Sequence, residues 1–120
     1  MNLKQPILLI GGGGNCASVI DVIESTNLFE IVGIIDLKKN LGSKLLGYNF
    51  IGIDADLPQL IAKHENVVIT TGMIKENKLR VKLYETARKN GAIFPVIISP
   101  LAHVSKHAKI GKGTVVMHHA

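Results

Sequence analysis

Residues 7–17 read ILLIGGGGNCA, and this stretch decides the fold. Its first four residues form a continuous apolar run, which is typical of a β-strand buried on both faces. Four glycines follow, and beyond them apolar residues recur at helical spacing, at Val19, Ile20, Val22 and Ile23. A strand that runs through glycines into a helix is suited to binding phosphate. Glycines let backbone N–H groups approach the anion, and the helix N-terminus adds a partial positive charge.

The glycine loop also has the spacing of a dinucleotide-binding fingerprint. Gly12, Gly14 and Ala17 fit the pattern G-x-G-x-x-A, and Asp36 closes a second apolar run about twenty residues later. In that layout the acid binds a ribose hydroxyl. Two alternatives remain open, namely a glycine turn with a purely structural role and an Asp36 carboxylate that only caps its own loop. Asn15 is predicted to be a helix-capping residue.

Strands and helices alternate through the first hundred residues. Further strands are predicted at residues 31–35, 67–71 and 94–98, with a shorter one at 48–51 inside a loop. A helix capped by Asp54 or Asp56 is expected through residues 57–61. A longer one is expected at 75–90, with Leu79, Leu83 and Ala87 facing inward. This alternation predicts an α/β fold, a Rossmann-like parallel sheet with helices on both faces.

Ligands of such sheets bind where the strands end. The glycine loop, Asp36 and Gly72 each follow a strand, so they are expected to converge on one crevice. Arg80 either reaches back toward phosphate from its helix or is a solvated helix residue. Cys16 is expected to pack in the core, because no base stands beside it in sequence.

After Pro100 the periodicity changes. Aliphatic residues recur every six positions, at Val104, Ile110 and Val116. A small residue stands two positions before each of them, at Ala102, Ala108 and Thr114, and Ala120 stands two positions before the place where the next aliphatic residue is expected. This is the pattern of hexapeptide repeats, three of which make one triangular coil of a left-handed parallel β-helix. Lys106, Lys109 and Lys112 would point outward. The predicted domains are therefore a Rossmann-like domain at 1–100 and the start of a β-helix, cut short, at 101–120.

Composition limits the other functions. The chain has 120 residues, 47% hydrophobic and 19% charged, with a formal net charge of +5. The lysines are dispersed and aromatic residues are few, so nucleic-acid binding is disfavoured. One cysteine excludes an internal disulfide, and no signal peptide or membrane span is expected, so a cytoplasmic protein is predicted.

His118 and His119 are interpreted as surface residues, because neighbours on a strand point to opposite faces. No metal site is predicted.

The order of these features resembles the sialic-acid O-acetyltransferase family, which includes the bacterial UDP-amino-sugar (bacillosamine-pathway) N-acetyltransferases. The segments that carry the resemblance are LLIGGGGNCASVIDVIE, VGIID, VVITTG with a following Arg80, and ISPLAHVSKHAKIGKGTVVM. Two positions depart from the family pattern. Asn15 stands where the family loop usually has histidine, and Leu37 stands where a second acid is common.

The resemblance implies a function and a site. The α/β domain would hold a UDP-sugar or a sialic-acid-type molecule, with a site formed by Gly12, Gly13, Gly14, Asn15, Asp36, Leu37 and Gly72. The β-helix of the family trimerises and binds acetyl-CoA, and its catalytic base is a histidine further along the coil than His118. No catalytic residue is therefore assigned here, and the chain alone is expected to bind without turnover.

Two other classes of function stay open. An NAD(P)-dependent oxidoreductase domain fits the glycine loop and Asp36 but has no place for the hexapeptide pattern. A non-catalytic nucleotide-binding or regulatory module, with residues 101–120 serving only for oligomerisation, fits both. Stabilisation by NADH and not by UDP-sugars would favour the oxidoreductase domain. If no nucleotide stabilises the chain, the non-catalytic module is favoured.

Overall fold

Five strands form the main sheet of the computed structural model, which describes residues 3–11, 14–36, 38–70 and 77–120. Their order across the sheet is β3-β4-β2-β1-β5. The strands are β1 Gln5–Ile10, β2 Phe29–Ile35, β3 Lys44–Leu45, β4 Tyr48–Gly52 and β5 Val67–Ile69. Only β3 runs antiparallel to its neighbour, and the other pairings are parallel. The predicted Rossmann-like fold is therefore confirmed.

The central strand β1 pairs with β2 on one side and with β5 on the other. The chain first builds outward from β1 through β2 to β4, and then returns to place β5 on the opposite side of β1. This reversal makes the junction of β1 and β5 the topological switch point, where open α/β sheets hold their ligands. The residues 7–10 are fully or almost fully buried, as a central strand requires.

Helices cover both faces of the sheet, as predicted. One face packs against α1 Gly14–Thr26, and the other packs against α2 Leu57–Lys63 and α3 Asn77–Lys89. Side chains of β1 alternate between these faces, so Ile7 and Leu9 contact the α1 side while Leu8 and Ile10 contact the α2 and α3 side.

The C-terminal ends of α1 and α3 lie where the sequence predicts them, whereas the buried face of α3 and the N-terminal capping of α2 differ from the prediction. Asn27 and Gly91 adopt φ of +56° and +87° just beyond α1 and α3, the left-handed conformation that ends helices. Leu79 is 39% exposed, so the predicted inner stripe of α3 is wrong at that position. Asp56 occupies the N-cap position of α2, as one of the two predicted alternatives requires, but its side chain makes no capping hydrogen bond. The Asp56 side chain accepts a hydrogen bond from the Ile53 N–H at 2.9 Å and does not cap the helix.

The strand predicted at residues 94–98 does not join the main sheet. Ile93 makes a single parallel bridge with Asn66, and the chain then leaves the sheet. Pro95 explains the departure, because proline has no N–H to continue the ladder. What remains is β6 Ile97–Ile98, which pairs with a strand later in the chain.

Residues 101–120, here called the tail, form turns and one short strand, β7 Val115–Val116. Parallel pairing joins Ile97 to Val115 and Ile98 to Val116, so each residue meets the one eighteen positions later. Lys106, Lys109 and Lys112 are exposed, as predicted. The expected β-helix coil is not among the elements of the described residues. A single turn of a solenoid has no neighbour to stack on, and Val104, Ile110 and Val116 are accordingly only half-buried.

A side-chain hydrogen bond ties α1 to β4 and gives a testable pH dependence. The Tyr48 hydroxyl donates to the Glu24 carboxylate at 2.6 Å, which raises the pKa of Tyr48 to about 12. The neutral phenol is thus favoured by folding. We expect Tyr48→Phe to lower the free energy of unfolding by about 0.5–1 kcal/mol at neutral pH.

The sign of this effect fixes its pH range. The contribution of Tyr48 is complete below about pH 10, where unfolded tyrosine is protonated, and is lost as pH rises toward 12. Urea unfolding of the native protein and of Tyr48→Phe between pH 7 and 11.5 should therefore give curves that converge at high pH. A difference that grows with pH would contradict the assignment.

None of the helices in the described parts of the chain is long and apolar enough to cross a lipid bilayer.

Candidate functional site

Three strands end side by side at one edge of the main sheet, here called the carboxyl edge. The Gly11 N–H donates to the Ile35 carbonyl at 2.7 Å, and the Thr70 N–H donates to the Ile10 carbonyl at 2.9 Å. These bonds join the end of β1 to the ends of β2 and β5. The predicted convergence is confirmed for Gly11 and Asp36, whereas Gly12, Gly13, Leu37 and Gly72 lie outside the described residues.

Thr70 is the buried polar residue at the centre of this edge. Its side chain is 1% exposed, and its hydroxyl lies 3.1 Å from the Ile10 carbonyl and within hydrogen-bond reach of the Gly11 carbonyl. Gly11 has φ of +109°, which favours glycine. Thr70 therefore fixes the point at which β1 turns into the glycine loop. From the sequence, Thr70 is predicted only as part of the strand at residues 67–71, and its position directly after three apolar residues is the signal for a role at the strand end.

Asn15 lies in the first turn of α1 and does not precede it. The helix begins at Gly14, so the predicted role of Asn15 as a cap is wrong. Its side-chain amide donates instead to the Thr70 carbonyl at 3.2 Å. Asn15 thereby connects the start of α1 to the end of β5, across the switch point. Its side chain is exposed at the surface of the crevice.

Cys16 lies beneath this surface and is fully buried, as its predicted packing role requires. Burial raises the pKa of the Cys16 thiol, a hydrogen bond with Thr70 lowers it, and the negative charge of Asp36 raises it further. The helix N-terminus would favour a thiolate, but here desolvation outweighs it. Cys16 is thus a neutral packing residue that contacts Thr70 and lies close enough to Asp36 to be affected by its charge.

Asp36 follows β2 and is half-buried at the carboxyl edge. Its N–H donates to the Gly52 carbonyl at 3.1 Å, and its Oδ2 accepts a hydrogen bond from the Asn40 amide at 2.7 Å. Asn40 ends the short 3-10 helix Lys38–Asn40. Asp36 therefore does organise its own loop, and the same hydrogen bond holds the carboxylate in place beside the glycine loop.

Arg80 reaches the carboxyl edge from α3. Its guanidinium donates to the Ile69 carbonyl, at the end of β5, at 3.0 Å and is part-buried. The alternative of a solvated helix arginine is therefore wrong. A positive charge lies close to the switch point, on the face of the sheet opposite α1.

His118 is not the surface residue that the sequence suggested. It lies in a turn after β7, where its Nδ1 hydrogen-bonds the Ser99 hydroxyl and its Nε2 lies 2.9 Å from Asp21 Oδ2. Ser99 is 1% exposed and its oxygen also accepts from the Leu101 N–H at 3.0 Å. The Ser99 proton is thus available to His118 Nδ1. This chain of three side chains fastens the tail to α1, on which Asp21 lies.

We expect His118→Ala to loosen the tail without unfolding the sheet. Loss of both hydrogen bonds should lower the free energy of unfolding by about 1 kcal/mol. Amide hydrogen exchange should accelerate at Ser99, whose N–H donates to the Val116 carbonyl. His107→Ala is the matched control, because His107 is an exposed tail residue. Equal exchange rates in the two variants would show that the contact with Asp21 does not hold the tail.

The remaining histidines of the tail, His103, His107 and His119, are exposed. His119 has φ of +60° and follows His118 in a turn, so the strand geometry assumed for this pair is wrong. Among the residues that the structure describes, no three side chains of His, Cys, Asp or Glu are grouped to hold a metal ion.

The described site therefore offers binding groups. It combines the N-terminus of a helix, which attracts an anion, with a carboxylate that accepts hydrogen bonds from hydroxyl groups. Its buried thiol and buried hydroxyl are both engaged inside the fold. This geometry suits a phosphorylated sugar or nucleoside.

Comparison with known proteins agrees with this interpretation. Residues 6–87 match the PglD N-terminal domain family, which covers more than half of the chain. The chain belongs to the PglD N-terminal domain family. The match includes every described residue of the carboxyl edge, from Gly11 to Arg80. No curated protein matches the chain.

Solved structures extend the similarity beyond the family domain. A variant of perosamine N-acetyltransferase from Caulobacter crescentus, in complex with CoA and GDP-perosamine, is 29% identical with a TM-score of 0.82. The alignment covers 97% of this chain and 53% of that one. The acetyltransferase domain of PglB from Neisseria gonorrhoeae, in complex with acetyl coenzyme A, is 28% identical with a TM-score of 0.79, over 97% and 54%. The chain thus spans about half the length of these acetyltransferases.

More distant structures share the fold alone. UDP-D-quinovosamine 4-dehydrogenase from Vibrio fischeri is 18% identical, with a TM-score of 0.60 over 76% of this chain and 75% of that one. The two acetyltransferases are therefore more similar to this chain, in sequence and in structure, than the dehydrogenase is.

Proposed function

We propose that this chain binds a nucleotide sugar at the carboxyl edge, as the substrate-binding part of an acetyl-CoA-dependent sugar N- or O-acetyltransferase of bacterial surface-glycan biosynthesis. The observation that carries the proposal is the meeting of Gly11, the start of α1, Asp36 and Thr70 at the switch point of a PglD-type domain. The proposal is also supported by the structure of perosamine N-acetyltransferase, which aligns with 97% of this chain and contains bound GDP-perosamine.

Different residues of the site would bind different parts of the nucleotide sugar. The glycine loop and the first turn of α1 would hold the diphosphate, where N–H groups and the helix dipole favour negative charge. Gly12, Gly13 and Gly14 belong to this part. Asp36, held by Asn40, would accept a hydrogen bond from a ribose hydroxyl or from the base. Leu37 and Gly72 would border the ligand, and Asn15 would present its amide where the resemblance to the acetyltransferase family implies histidine.

Acetyl transfer itself would take place outside this group of residues. The acceptor amine or hydroxyl must lose a proton as it attacks the thioester carbonyl, which calls for a general base. We assign no catalytic residue in this chain. Acetyl-CoA would bind to the other part of the whole protein, as the CoA-bound relatives suggest.

The finer features belong to the same proposal. The eighteen-residue offset between β6 and β7 equals three hexapeptides, which supports a boundary near residue 100 and a tail that leads into a hexapeptide β-helix. In the whole protein this β-helix would form a trimer. A cytoplasmic location and a sialic-acid-type acceptor are further expectations, and a UDP-sugar is as compatible with the site as a GDP-sugar.

A thermal unfolding panel tests the proposal. UDP-sugars, GDP-sugars, CMP-sialic acid, NADH and acetyl-CoA are each added to the chain, and the midpoint of unfolding is measured. A ligand at one hundred times its Kd adds about 2.7 kcal/mol to the stability of the folded state, which raises Tm by several degrees. We expect a nucleotide sugar to produce this rise and acetyl-CoA alone to produce none.

The same panel separates the other classes of function. Stabilisation by NADH and not by nucleotide sugars would replace the proposal with an oxidoreductase domain, which the glycine loop and Asp36 also permit. The dehydrogenase of similar fold, at 18% identity, does not by itself favour that outcome. A lack of response to every nucleotide would indicate a non-catalytic module.

A further inference from the structure

A cavity of about 270 Å³ lies between α3, the end of β5 and the tail, and here it is called the aromatic cavity. It is lined by Ile69, Arg80, Tyr84, Phe94, Lys112 and Gly113, among others. Of these, only Ile69 and Arg80 lie near the carboxyl edge. The cavity is on the α3 side of the sheet, whereas the glycine loop leads into α1 on the other side.

Two aromatic rings line one wall of this cavity. The centroids of the Tyr84 and Phe94 rings are 4.6 Å apart with an angle of 31° between the ring planes. Phe94 is buried and Tyr84 is half-buried, so Tyr84 is the more exposed of the two aromatic side chains. Apolar side chains continue this surface at Ile69 and Val81. Such a wall favours a planar or apolar group.

The charges around the cavity have one sign. Arg80 and Lys112 line it from α3 and from the tail, and the described residues that line it include no acid. The Arg80 guanidinium is oriented by its hydrogen bond to the Ile69 carbonyl. The turn that carries Lys112 is also fixed, because the Gly113 N–H donates to the Phe94 carbonyl at 3.1 Å. Two basic residues in one concave lining attract an anion, because the field of like charges is strongest in a concave site.

We propose that the aromatic cavity binds a small anion that carries a planar ring, an aromatic phosphate or carboxylate. The ring would lie against Tyr84, and the anionic group would lie between Arg80 and Lys112. The volume is at the small end of ligand pockets, which suits a compact molecule. The cavity meets the carboxyl edge at Ile69 and Arg80, but the glycine loop and Asp36, which the proposed function assigns to the nucleotide sugar, are not among its described lining residues.

Binding would also connect two parts of the chain. Arg80 and Tyr84 belong to α3, whereas Lys112 and Gly113 belong to the tail. An anion that contacts both cations would hold the tail against α3, opposite the side where His118 fastens it to α1. The ligand would therefore stabilise the junction between the sheet and the tail.

Amide chemical shifts measured by NMR test the proposal with phenyl phosphate as the probe. Inorganic phosphate and phenol serve as matched probes for the charge and the ring alone. We expect phenyl phosphate to give saturable shifts at Arg80, Tyr84, Phe94 and Gly113, and each matched probe to bind these residues at least several-fold more weakly. Shifts confined to the glycine loop, or equal binding of phenyl phosphate and inorganic phosphate at the cavity, would overturn the proposal.

Variants provide the second measurement. Lys112→Ala should weaken phenyl phosphate binding about three- to fivefold, the effect of one exposed charge. Lys109→Ala is the control, because Lys109 is an exposed tail lysine that does not line the cavity. Both residues are at the surface, so both variants should fold. Equal affinities of the two variants for phenyl phosphate would remove Lys112 from the site and contradict the proposal.

Discussion

Thr70→Val is expected to weaken nucleotide-sugar binding about tenfold or more and to lower the free energy of unfolding by about 1 kcal/mol, the net contribution of the lost side-chain hydrogen bond. Valine keeps the branched shape of threonine but cannot donate to the Ile10 and Gly11 carbonyls. The loss falls at the point where β1 turns into the glycine loop. Isothermal titration with a nucleotide sugar and urea unfolding measure the two effects.

Thr114→Val is the matched control for this prediction. The Thr114 hydroxyl donates to the Gly111 carbonyl at 2.6 Å, but this hydrogen bond is exposed in the tail. We expect the control to leave nucleotide-sugar affinity unchanged and to alter stability by less than about 0.5 kcal/mol. If the two variants bind the nucleotide sugar equally well, Thr70 does not position the loop.

Gly33→Ala is the second substitution with a large expected effect. A Cβ atom at Gly33 would lie 2.6 Å from Ile51 Cδ1 and 2.8 Å from both γ-carbons of the same side chain. Ile51 packs against the core on the α2 and α3 side, so it must move away from that core. We expect the free energy of unfolding to fall by about 1–3 kcal/mol, as in other overpacked cores.

Two comparisons make this second prediction specific. Gly111→Ala places its Cβ in open space and should change stability by less than about 0.5 kcal/mol. In an Ile51→Ala background, Gly33→Ala should cost less than in the native protein, because the clashing atoms are gone. Additive effects of the two substitutions would show that Ile51 is not the obstacle.

The sequence predicted the sheet well where hydrophobic runs and glycines dominate. The buried run at residues 7–10, the glycine loop and the start of α1 lie in adjacent positions, so local pattern determines them. The strand order was not predictable in the same way. That β4 would pair with β2, and β5 with β1, depends on contacts between residues far apart in the chain.

The site was predicted less completely than the fold. Asp36 and the glycine loop were found because their spacing is a known pattern. Thr70, Asn40 and Ser99 were missed because their roles depend on partners that only folding brings near, such as the Gly11 carbonyl, the Asp36 carboxylate and the His118 ring. Pro95 is the local signal that the fourth predicted strand leaves the sheet, although the apolar residues around it favour a strand.

A larger cavity at the opposite edge of the sheet is the alternative position for a bound nucleotide sugar. It measures about 640 Å³ and lies at the opposite edge of the sheet, where strands begin, near Gln5, His64 and Asn66. Ligands of open α/β sheets bind at the other edge, where parallel strands end. The two edges are therefore distinct alternatives for the position of a bound nucleotide sugar.

Mapping by NMR which backbone amides shift on adding a GDP- or UDP-sugar tests the account most directly. We predict shifts at Gly11, at the first turn of α1 including Asn15 and Cys16, and at Asp36 and Thr70. Shifts clustered instead around Gln5, His64 and Asn66, or none at saturating ligand, would contradict the assignment of the carboxyl edge as the nucleotide-sugar site.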